Sequence, residues 1–218
     1  AVRICYIVWC FLCVISLSAE AQKGKYFEKN VRFPEKVTLE KKVEIAARLV
    51  PTKQQLAWQQ LELTAFIHFG INTFTGKEQG DGKEFPVMFN PVALDAEQWV
   101  KALKAGGLKS VVLTAKHHDG FCMFDTKETD FLIAKGPFKN NPLKDVTYQV
   151  FDAFRQKDFM IGAYFSKPDW HCNDYWSRDR ATPTRNVNYD IKLNPDKWKR
   201  FQEYTANQIN ELMTRYGR

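Results

Sequence analysis

Residues 109–121 read KSVVLTAKHHDGF, an apolar run that ends abruptly in a cluster of polar side chains. The part from Lys109 to Ala115 is rich in β-branched residues and has the length of one strand, which predicts a buried strand. Similar runs lie before and after it, LTAFIHF at Leu63–Phe69 and FMIGAYF at Phe159–Phe165. Near-continuous apolar strands are typical of a parallel sheet that is covered on both faces.

A helical pattern follows each of the three strands. Asp95 is expected to cap a helix over residues 96–105, which ends at Gly106-Gly107. The other predicted helices cover about 145–156, about 195–216 and, before the first strand, Leu39–Leu49 and 53–61. The order strand, loop, helix therefore occurs three times, and such alternation predicts parallel strands joined by crossover helices.

The loops are long after the predicted strands and short before them. Residues 70–91, 116–142 and 166–194 follow the strands. This asymmetry predicts an α/β fold of the (β/α)8-barrel type, with a site at the carboxyl ends of the strands. A complete barrel needs about 250 residues, so we expect only the first three or so βα units in this chain. A doubly wound sheet has the same asymmetry, but no Gly-x-Gly-x-x-Gly motif follows the first strand.

The N-terminal residues have the pattern of an export signal. Arg3 precedes the apolar run ICYIVWCFLCVISLS at residues 4–18, and Ala19-Glu20-Ala21 follows it. The run is shorter than the roughly 20 residues that a membrane-spanning helix needs. We therefore predict a signal peptide at 1–21 and a mature chain at 22–218, with an uncleaved anchor as the alternative. A secreted or periplasmic location follows, or a lysosomal one in a eukaryote, without stable membrane insertion after cleavage.

The charge and the cysteine content of the chain give limited information about its binding partners and its disulfide bonds. The net charge of +7 is spread along the chain without a long block of like charges, so we predict a mildly basic soluble protein and no nucleic-acid partner. Signal cleavage would leave two cysteines, Cys122 and Cys172, which either pair or remain free.

All four histidines fall at the predicted carboxyl ends of strands or just beyond them. They are His68 after the first strand, His117 and His118 after the second, and His171 after the third. One such histidine would be interpreted as an ordinary core or surface residue, whereas four on one rim indicate a site. The same loops hold acidic and aromatic residues, namely Glu78, Asp81, Asp119, Tyr164, Asp169, Trp170 and Trp176.

Two chemistries could use this set of side chains. Metal-assisted hydrolysis needs histidines at ligand spacing. The adjacent pair His117 and His118 would diverge on an extended backbone, and no His-x-x-x-His pair occurs. Imidazoles and carboxylates also bind hydroxyl groups directionally, while aromatic rings cover the apolar face of a sugar. The sequence thus favours recognition of a polyhydroxylated ligand, with neither a metal nor a cofactor predicted.

Several stretches at these positions resemble the α-L-fucosidases of glycoside hydrolase family 29. The most specific is Lys116-His117-His118-Asp119-Gly120-Phe121 in the loop after the second strand. The others are Phe66–Gly70, Asn72–Glu78, Gly162–Ser166 with Asp169–His171, and Ala181–Pro183 with Arg185–Tyr189. The resemblance covers about residues 50–218. The chain departs from the family at Gln79, where many members have a tryptophan.

The resemblance implies a retaining exo-hydrolase that removes terminal α-L-fucose from a fucosylated oligosaccharide or glycoconjugate. The residues that it implies for fucose binding are His68, Glu78, His117 and His118, with Tyr164 near the reacting centre and Trp170 and His171 at the rim. In the family a nucleophilic Asp ends the fourth strand, so both catalytic carboxylates are expected beyond Arg218. The chain as given would then be inactive, or it would be a pseudoenzyme that only binds fucosylated glycans.

Alternative interpretations of individual residues stay open. Asp119 could cap the turn before Gly120 without meeting a ligand. Tyr164 and Phe165 point to opposite faces of their strand, so one of them belongs to the core, and we expect Tyr164 in the pocket. Trp170 and Trp176 could pack the third loop instead of contacting a substrate.

Overall fold

The computed structural model describes residues 31–141, 145–177 and 186–217. The chain divides into two compact units, Ala1–Glu62 and Leu63–Arg218. The predicted signal peptide lies outside the described residues. The described part of the first unit contains helices α1 (Leu39–Ala46) and α2 (Lys53–Gln59). Both predicted helices are therefore confirmed, although α1 ends three residues earlier than expected.

Thr52 explains why α2 begins where it does. Its hydroxyl accepts a hydrogen bond from the backbone N–H of Gln55, and the Gln55 side chain accepts one from the backbone N–H of Thr52. This reciprocal pair is a capping box, which satisfies two N–H groups that the first turn of a helix leaves without partners.

The second unit is built on a parallel three-stranded sheet. Its strands are β1 (Thr64–Ile67), β2 (Ser110–Lys116) and β3 (Met160–Phe165), in the order β1-β2-β3. The pairing aligns Phe66 with Val112 and Val112 with Gly162. All three predicted strands and their parallel pairing are confirmed, with boundaries within two residues.

Helices and short 3-10 turns follow each of the strands. The helices are α3 (Asn72–Thr75), α4 (Ala96–Ala105), α5 (Val146–Arg155) and α6 (Pro195–Arg215). The 3-10 turns are Pro86–Met88, Ile133–Lys135 and Pro137–Asn140. Asp95 accepts a hydrogen bond from the Gln98 N–H at 3.0 Å, which confirms it as the cap of α4.

The main core lies between one face of the sheet and helices α4 to α6. Its strand residues are Ala65, Ile67, Val111, Leu113, Ala115, Ile161 and Phe165, and its helix residues include Val100, Val150, Phe154 and Leu212. Because side chains alternate along a strand, Tyr164 lies on the opposite face from Phe165. That face also carries Phe66, whose surface is 52% exposed.

The described residues thus form an α/β fold with a parallel sheet, whereas a closed barrel remains a prediction. Cys122 and Cys172 are both free, which resolves the alternative that the sequence left open. Within the described ranges, no helix combines the length and the apolar composition that a bilayer crossing requires.

Candidate functional site

Three histidine rings form a row at the carboxyl edge of the sheet. His68 follows β1 directly, and His117 and His118 follow β2. The carboxyl ends of parallel strands meet at one edge, so the three rings come together there. The ring centroids of His68 and His117 are 4.7 Å apart, and those of His117 and His118 are 4.6 Å apart. We call these three side chains the histidine row.

Tyr164, at the end of the third strand, lies next to the histidine row. Its ring lies 6.1 Å from that of His117 and 5.6 Å from that of Phe66. The Phe66 ring in turn stacks on His68 at 6.2 Å. Imidazole nitrogens therefore lie beside an exposed aromatic surface, a combination that suits a ligand with both hydroxyl groups and an apolar face.

His117 lies at the centre of the row and is held neutral. Burial lowers its pKa to about 4, and the neighbouring rings of His118 and His68 act in the same direction. Its Nδ1 has no hydrogen-bond partner among the described residues, and the nearest carboxylate oxygen, Oδ2 of Asp119, is 3.9 Å away. These two side chains also line a small cavity with His68, Asn72 and Thr114.

Asp119 is buried, and both of its carboxylate oxygens accept hydrogen bonds from the protein. Its Oδ2 accepts a hydrogen bond from the Asn72 side-chain amide at 2.7 Å, and its Oδ1 accepts one from the Phe121 N–H at 2.6 Å. Burial raises its pKa to about 6, although these two hydrogen bonds act in the opposite direction. Asp119 therefore holds the turn at Gly120, as the alternative interpretation proposed, and it also borders the cavity.

His118 is fixed by the loop that follows β3. Its Nδ1 lies 2.5 Å from the Ser166 hydroxyl, and its carbonyl accepts a hydrogen bond from the Trp170 N–H at 2.9 Å. The Trp170 ring is 5.4 Å from the His118 ring and only 3% exposed. Trp170 thus forms part of the wall behind the row, and it packs in a second core cluster with Trp176.

His171 connects the three loops instead of extending the row. Its Nδ1 lies 2.8 Å from the Gly82 carbonyl oxygen in the loop after β1. Its ring stacks on Phe131, from the loop after β2, at 4.1 Å and 13°. Glu78, by contrast, is exposed in the loop after α3, and it makes no hydrogen bond or ion pair with any described residue.

A buried ion pair connects the elements that carry the site. Lys116 donates from Nζ to Asp169 Oδ2 at 2.8 Å and to Gln208 Oε1 at 2.9 Å. The same Asp169 oxygen accepts from the Tyr204 hydroxyl, and Oδ1 accepts from the His171 N–H. This network joins the end of β2, the loop after β3 and helix α6.

Four residues that shape the site were given no role in it from the sequence, although three of them lie in the stretches that resemble the family. They are Asn72, Lys116, Ser166 and Gln208. A charged residue at the end of an apolar run, as Lys116 is, could have indicated a buried partner. Among the described residues, no group of three or more His, Cys, Asp or Glu side chains converges closely enough to hold a metal ion.

The comparisons with known proteins all indicate the same family. The profile of the family described as alpha-L-fucosidase matches residues 52–218. Alpha-L-fucosidase 1 of Arabidopsis thaliana is 36% identical over 168 residues, which are 77% of this chain and 29% of that protein. This chain therefore spans under a third of the length of that relative.

Solved structures agree in fold and sequence. A putative alpha-L-fucosidase from Bacteroides ovatus is 47% identical with a TM-score of 0.72, over 88% of this chain and 29% of that one. An alpha-L-fucosidase of Bacteroides thetaiotaomicron, trapped as a covalent intermediate with 2-fluoro-fucosyl fluoride, is 28% identical with a TM-score of 0.59, over 77% of this chain and 40% of that one. The chain belongs to the α-L-fucosidase family, glycoside hydrolase family 29.

Proposed function

We propose that this chain supplies the fucose-binding part of a retaining exo-glycosidase that releases terminal α-L-fucose from glycans, built on a (β/α)8-type barrel. The observation that carries the proposal is the histidine row beside Tyr164, assembled from the carboxyl ends of three parallel strands. Active sites of such barrels lie at this face.

The chemistry of the row fits a sugar. A neutral imidazole both donates and accepts a hydrogen bond, as a hydroxyl group does, and the low pKa of His117 keeps it neutral at pH 7. We assign the fucose hydroxyls to His68, His117, His118 and, from its exposed loop, Glu78. Tyr164 would lie near the reacting centre, with Trp170 and His171 at the rim.

The catalytic carboxylates are proposed to come from parts of the complete protein outside this chain. A retaining glycosidase needs two carboxyl groups roughly 5–5.5 Å apart. Around the row, the buried carboxylates in the described ranges are Asp119, Asp169 and Glu84, and protein donors occupy all three. The covalent intermediate trapped in the Bacteroides thetaiotaomicron relative supports a retaining mechanism.

Because protein donors already occupy the buried carboxylates, a second candidate function is also favoured, namely a protein that binds fucosylated glycans without hydrolysing them. A fucose-binding wall whose buried carboxylates are all held by protein donors recognises a sugar without the pair of carboxyl groups that a retaining hydrolysis needs.

Turnover separates the two candidates. The complete gene product should be incubated with an aryl α-L-fucoside, and L-fucose binding should be measured in parallel. Hydrolysis with retained anomeric configuration supports the glycosidase. Binding without hydrolysis supports the binding protein, and the lack of both results would contradict both candidates.

We also propose that the protein is exported, with residues 1–21 removed, to a secreted or periplasmic location. The support is the apolar run at residues 4–18 followed by Ala19-Glu20-Ala21. N-terminal sequencing of the mature protein tests this, since it should begin at Gln22.

A further inference from the structure

Two buried polar atoms without protein partners belong to residues that line the same small cavity. Among the described residues, three buried side-chain atoms make no hydrogen bond, and two of them are Nδ1 of His117 and Oδ1 of Asn72. Both residues line the cavity beside the histidine row, together with Asp119 and Thr114. Burial of a polar atom without a partner is unfavourable, so two such atoms at one cavity indicate a ligand that binds both.

The orientation of the Asn72 amide follows from its contact with Asp119. Nδ2 of Asn72 lies 2.7 Å from Oδ2 of Asp119, whose pKa of about 6 leaves the carboxyl group ionised at pH 7. An ionised carboxylate can only accept, so the amide turns its nitrogen towards Asp119. Its oxygen, Oδ1, then needs another donor, and bulk water does not supply one because Asn72 is only 7% exposed.

His117 and Asp119 are too far apart for a direct hydrogen bond. Nδ1 of His117 lies 3.9 Å from Oδ2 of Asp119, whereas an ordinary N–H···O bond extends to about 3.2 Å. Polar groups at such a separation are commonly bridged by a water molecule. The cavity has a volume of about 20 Å³, and one water molecule needs roughly 10–15 Å³. The space therefore fits a single water molecule.

The donors and acceptors at the cavity determine how a water molecule binds there. Oδ1 of Asn72 and Oδ2 of Asp119 only accept, and a water molecule has two hydrogens to donate to them. The Thr114 hydroxyl already donates to the Phe69 carbonyl at 2.7 Å. The water oxygen is thus left to accept a hydrogen bond from His117.

This arrangement also determines which nitrogen of His117 carries the hydrogen. The ring is neutral at pH 7 because burial lowers its pKa to about 4, so it has one hydrogen on one of its two nitrogens. With the hydrogen on Nδ1, every polar atom at the cavity has a partner. With the lone pair on Nδ1, three acceptors would compete for the two hydrogens of the water molecule.

We propose that one buried water molecule is bound in this cavity by His117, Asn72 and Asp119, and that it fixes the Nδ1–H tautomer of His117. Nε2 of His117 makes no hydrogen bond with a described residue, and in this tautomer it is the acceptor that the ring offers to a hydroxyl group of the sugar. Asn72 is accordingly a positioning residue that acts on His117 through the water molecule. The sugar contact rests on the proposed function, whereas the water site does not.

Crystallography of the complete gene product tests the water site directly. We expect one isolated peak of electron density within about 3.2 Å of Nδ1 of His117, Oδ1 of Asn72 and Oδ2 of Asp119. The lack of such a peak would overturn the proposal. Anomalous scattering at this position after a soak in thallium(I) would also overturn it, since it would identify a monovalent cation instead of water.

Nuclear magnetic resonance of the same protein, labelled with 15N in its histidine rings, tests the tautomer. His117 is assigned by comparison with His117→Gln. We expect a protonated, pyrrole-type signal for Nδ1 and an unprotonated, pyridine-type signal for Nε2 at pH 7. A hydrogen on Nε2 would overturn the assignment, because Nδ1 would then present its lone pair to the cavity, as it would to a cation.

The variant Asn72→Leu separates positioning through the water molecule from a general structural effect. Leucine has a similar size but no oxygen, so one hydrogen of the water molecule becomes available to Nδ1, and the Nε2–H tautomer of His117 should become populated. We expect kcat/KM for an aryl α-L-fucoside to fall about tenfold, the worth of one hydrogen bond.

The matched control is Asn210→Leu, since Asn210 is an exposed asparagine of α6. This variant should leave both the His117 signals and kcat/KM unchanged. Equal His117 signals in the two variants would contradict the positioning role of Asn72. The measurements on the wild-type protein test the water site even if Asn72→Leu does not fold.

Addition of L-fucose separates failure of this proposal from failure of the proposed function. Fucose should shift the Nε2 signal of wild-type His117. Hydrolysis of the fucoside by a protein without water in the cavity would overturn the water site and leave the proposed function standing. A bound water molecule and the expected tautomer, without any response to fucose, would overturn the sugar contact of His117 and leave the water site standing.

Discussion

The ammonium group of Lys116 lies 2.8 Å from Oδ2 of Asp169, and both side chains are fully buried. The pair joins the strand that leads into the histidine row to the loop that carries Trp170 and His171. Asp169 cannot rely on water to stabilise its charge, so it depends on Lys116, with Tyr204 donating a further hydrogen bond.

Lys116→Met should strongly destabilise the protein. Methionine has a similar length, but it leaves a buried carboxylate without its counter-ion, which costs about 3–5 kcal/mol. Denaturant unfolding of the complete gene product measures this loss. The control is Lys101→Met, which removes an exposed lysine of α4 and should change stability by less than about 0.5 kcal/mol. Equal stability of the two variants would show that the buried pair is dispensable.

Gly120→Ala should cost more than Gly107→Ala, although both glycines have positive φ. The φ angles are 92° and 78°, so each substitution carries a conformational penalty of about 1–2 kcal/mol. A methyl group at Gly107 meets nothing within 4 Å, whereas one at Gly120 overlaps the Asp169 carboxylate. We expect an additional loss of about 1–3 kcal/mol for Gly120→Ala. Unfolding curves that show equal losses would contradict this close packing.

The sequence predicted the elements well because their signals are local. The helix over 96–105 matches α4, since Asp95 and Gly106 mark both of its ends. The strands were found as apolar runs between polar loops. The meeting of His68 and His117 also followed from the sequence, because parallel strands bring their carboxyl ends to one edge.

The supporting contacts of the site could not be predicted because they join distant parts of the chain. Asp169 lies 53 residues after Lys116, and Gln208 lies 92 residues after it. Ser166 and Asn72 are small polar residues beside strand ends, where such residues are common in ordinary turns. Their roles depend on distances of a few ångströms, which no pattern of residue types specifies.

The pH dependence of stability should differ between two variants of the site. His117 has a pKa of about 4 in the folded protein, below its ordinary 6.5. The stability that its neutral form contributes is therefore fully present above pH 6.5 and is lost as the pH falls towards 4. Asp119 has a pKa of about 6, above its ordinary 3.8, so its effect has the opposite sign. Stability from Asp119 is lost as the pH rises from 3.8 to 6, and the two effects largely cancel between pH 4 and 6.

Substitution of either group should expose the effect of the other. The neighbouring ionisable groups are His68 and His118 beside His117, and Glu84 and Asp169 beside Asp119. In Asp119→Asn, where His117 remains, stability should rise with pH between 4 and 6.5. In His117→Gln it should fall with pH between 4 and 6, by up to about 2 kcal/mol. Denaturant unfolding at several pH values measures both slopes, and parallel curves for the two variants would contradict the assignment.

The final prediction concerns activity. His117 lies between the other two rings of the histidine row, so His117→Ala removes the central hydrogen-bonding group. The variant should lower kcat/KM for an aryl α-L-fucoside by about 10- to 100-fold, which is equivalent to the loss of one or two hydrogen bonds. A bond that strengthens only in the transition state would lower kcat, whereas uniform binding would raise KM. The loss of a hydrogen bond to the protein should not lower stability, because Nδ1 of His117 has no partner among the described residues. Full kinetics together with an unfolding curve separate these effects, and an unchanged kcat/KM in a folded variant would remove His117 from the site.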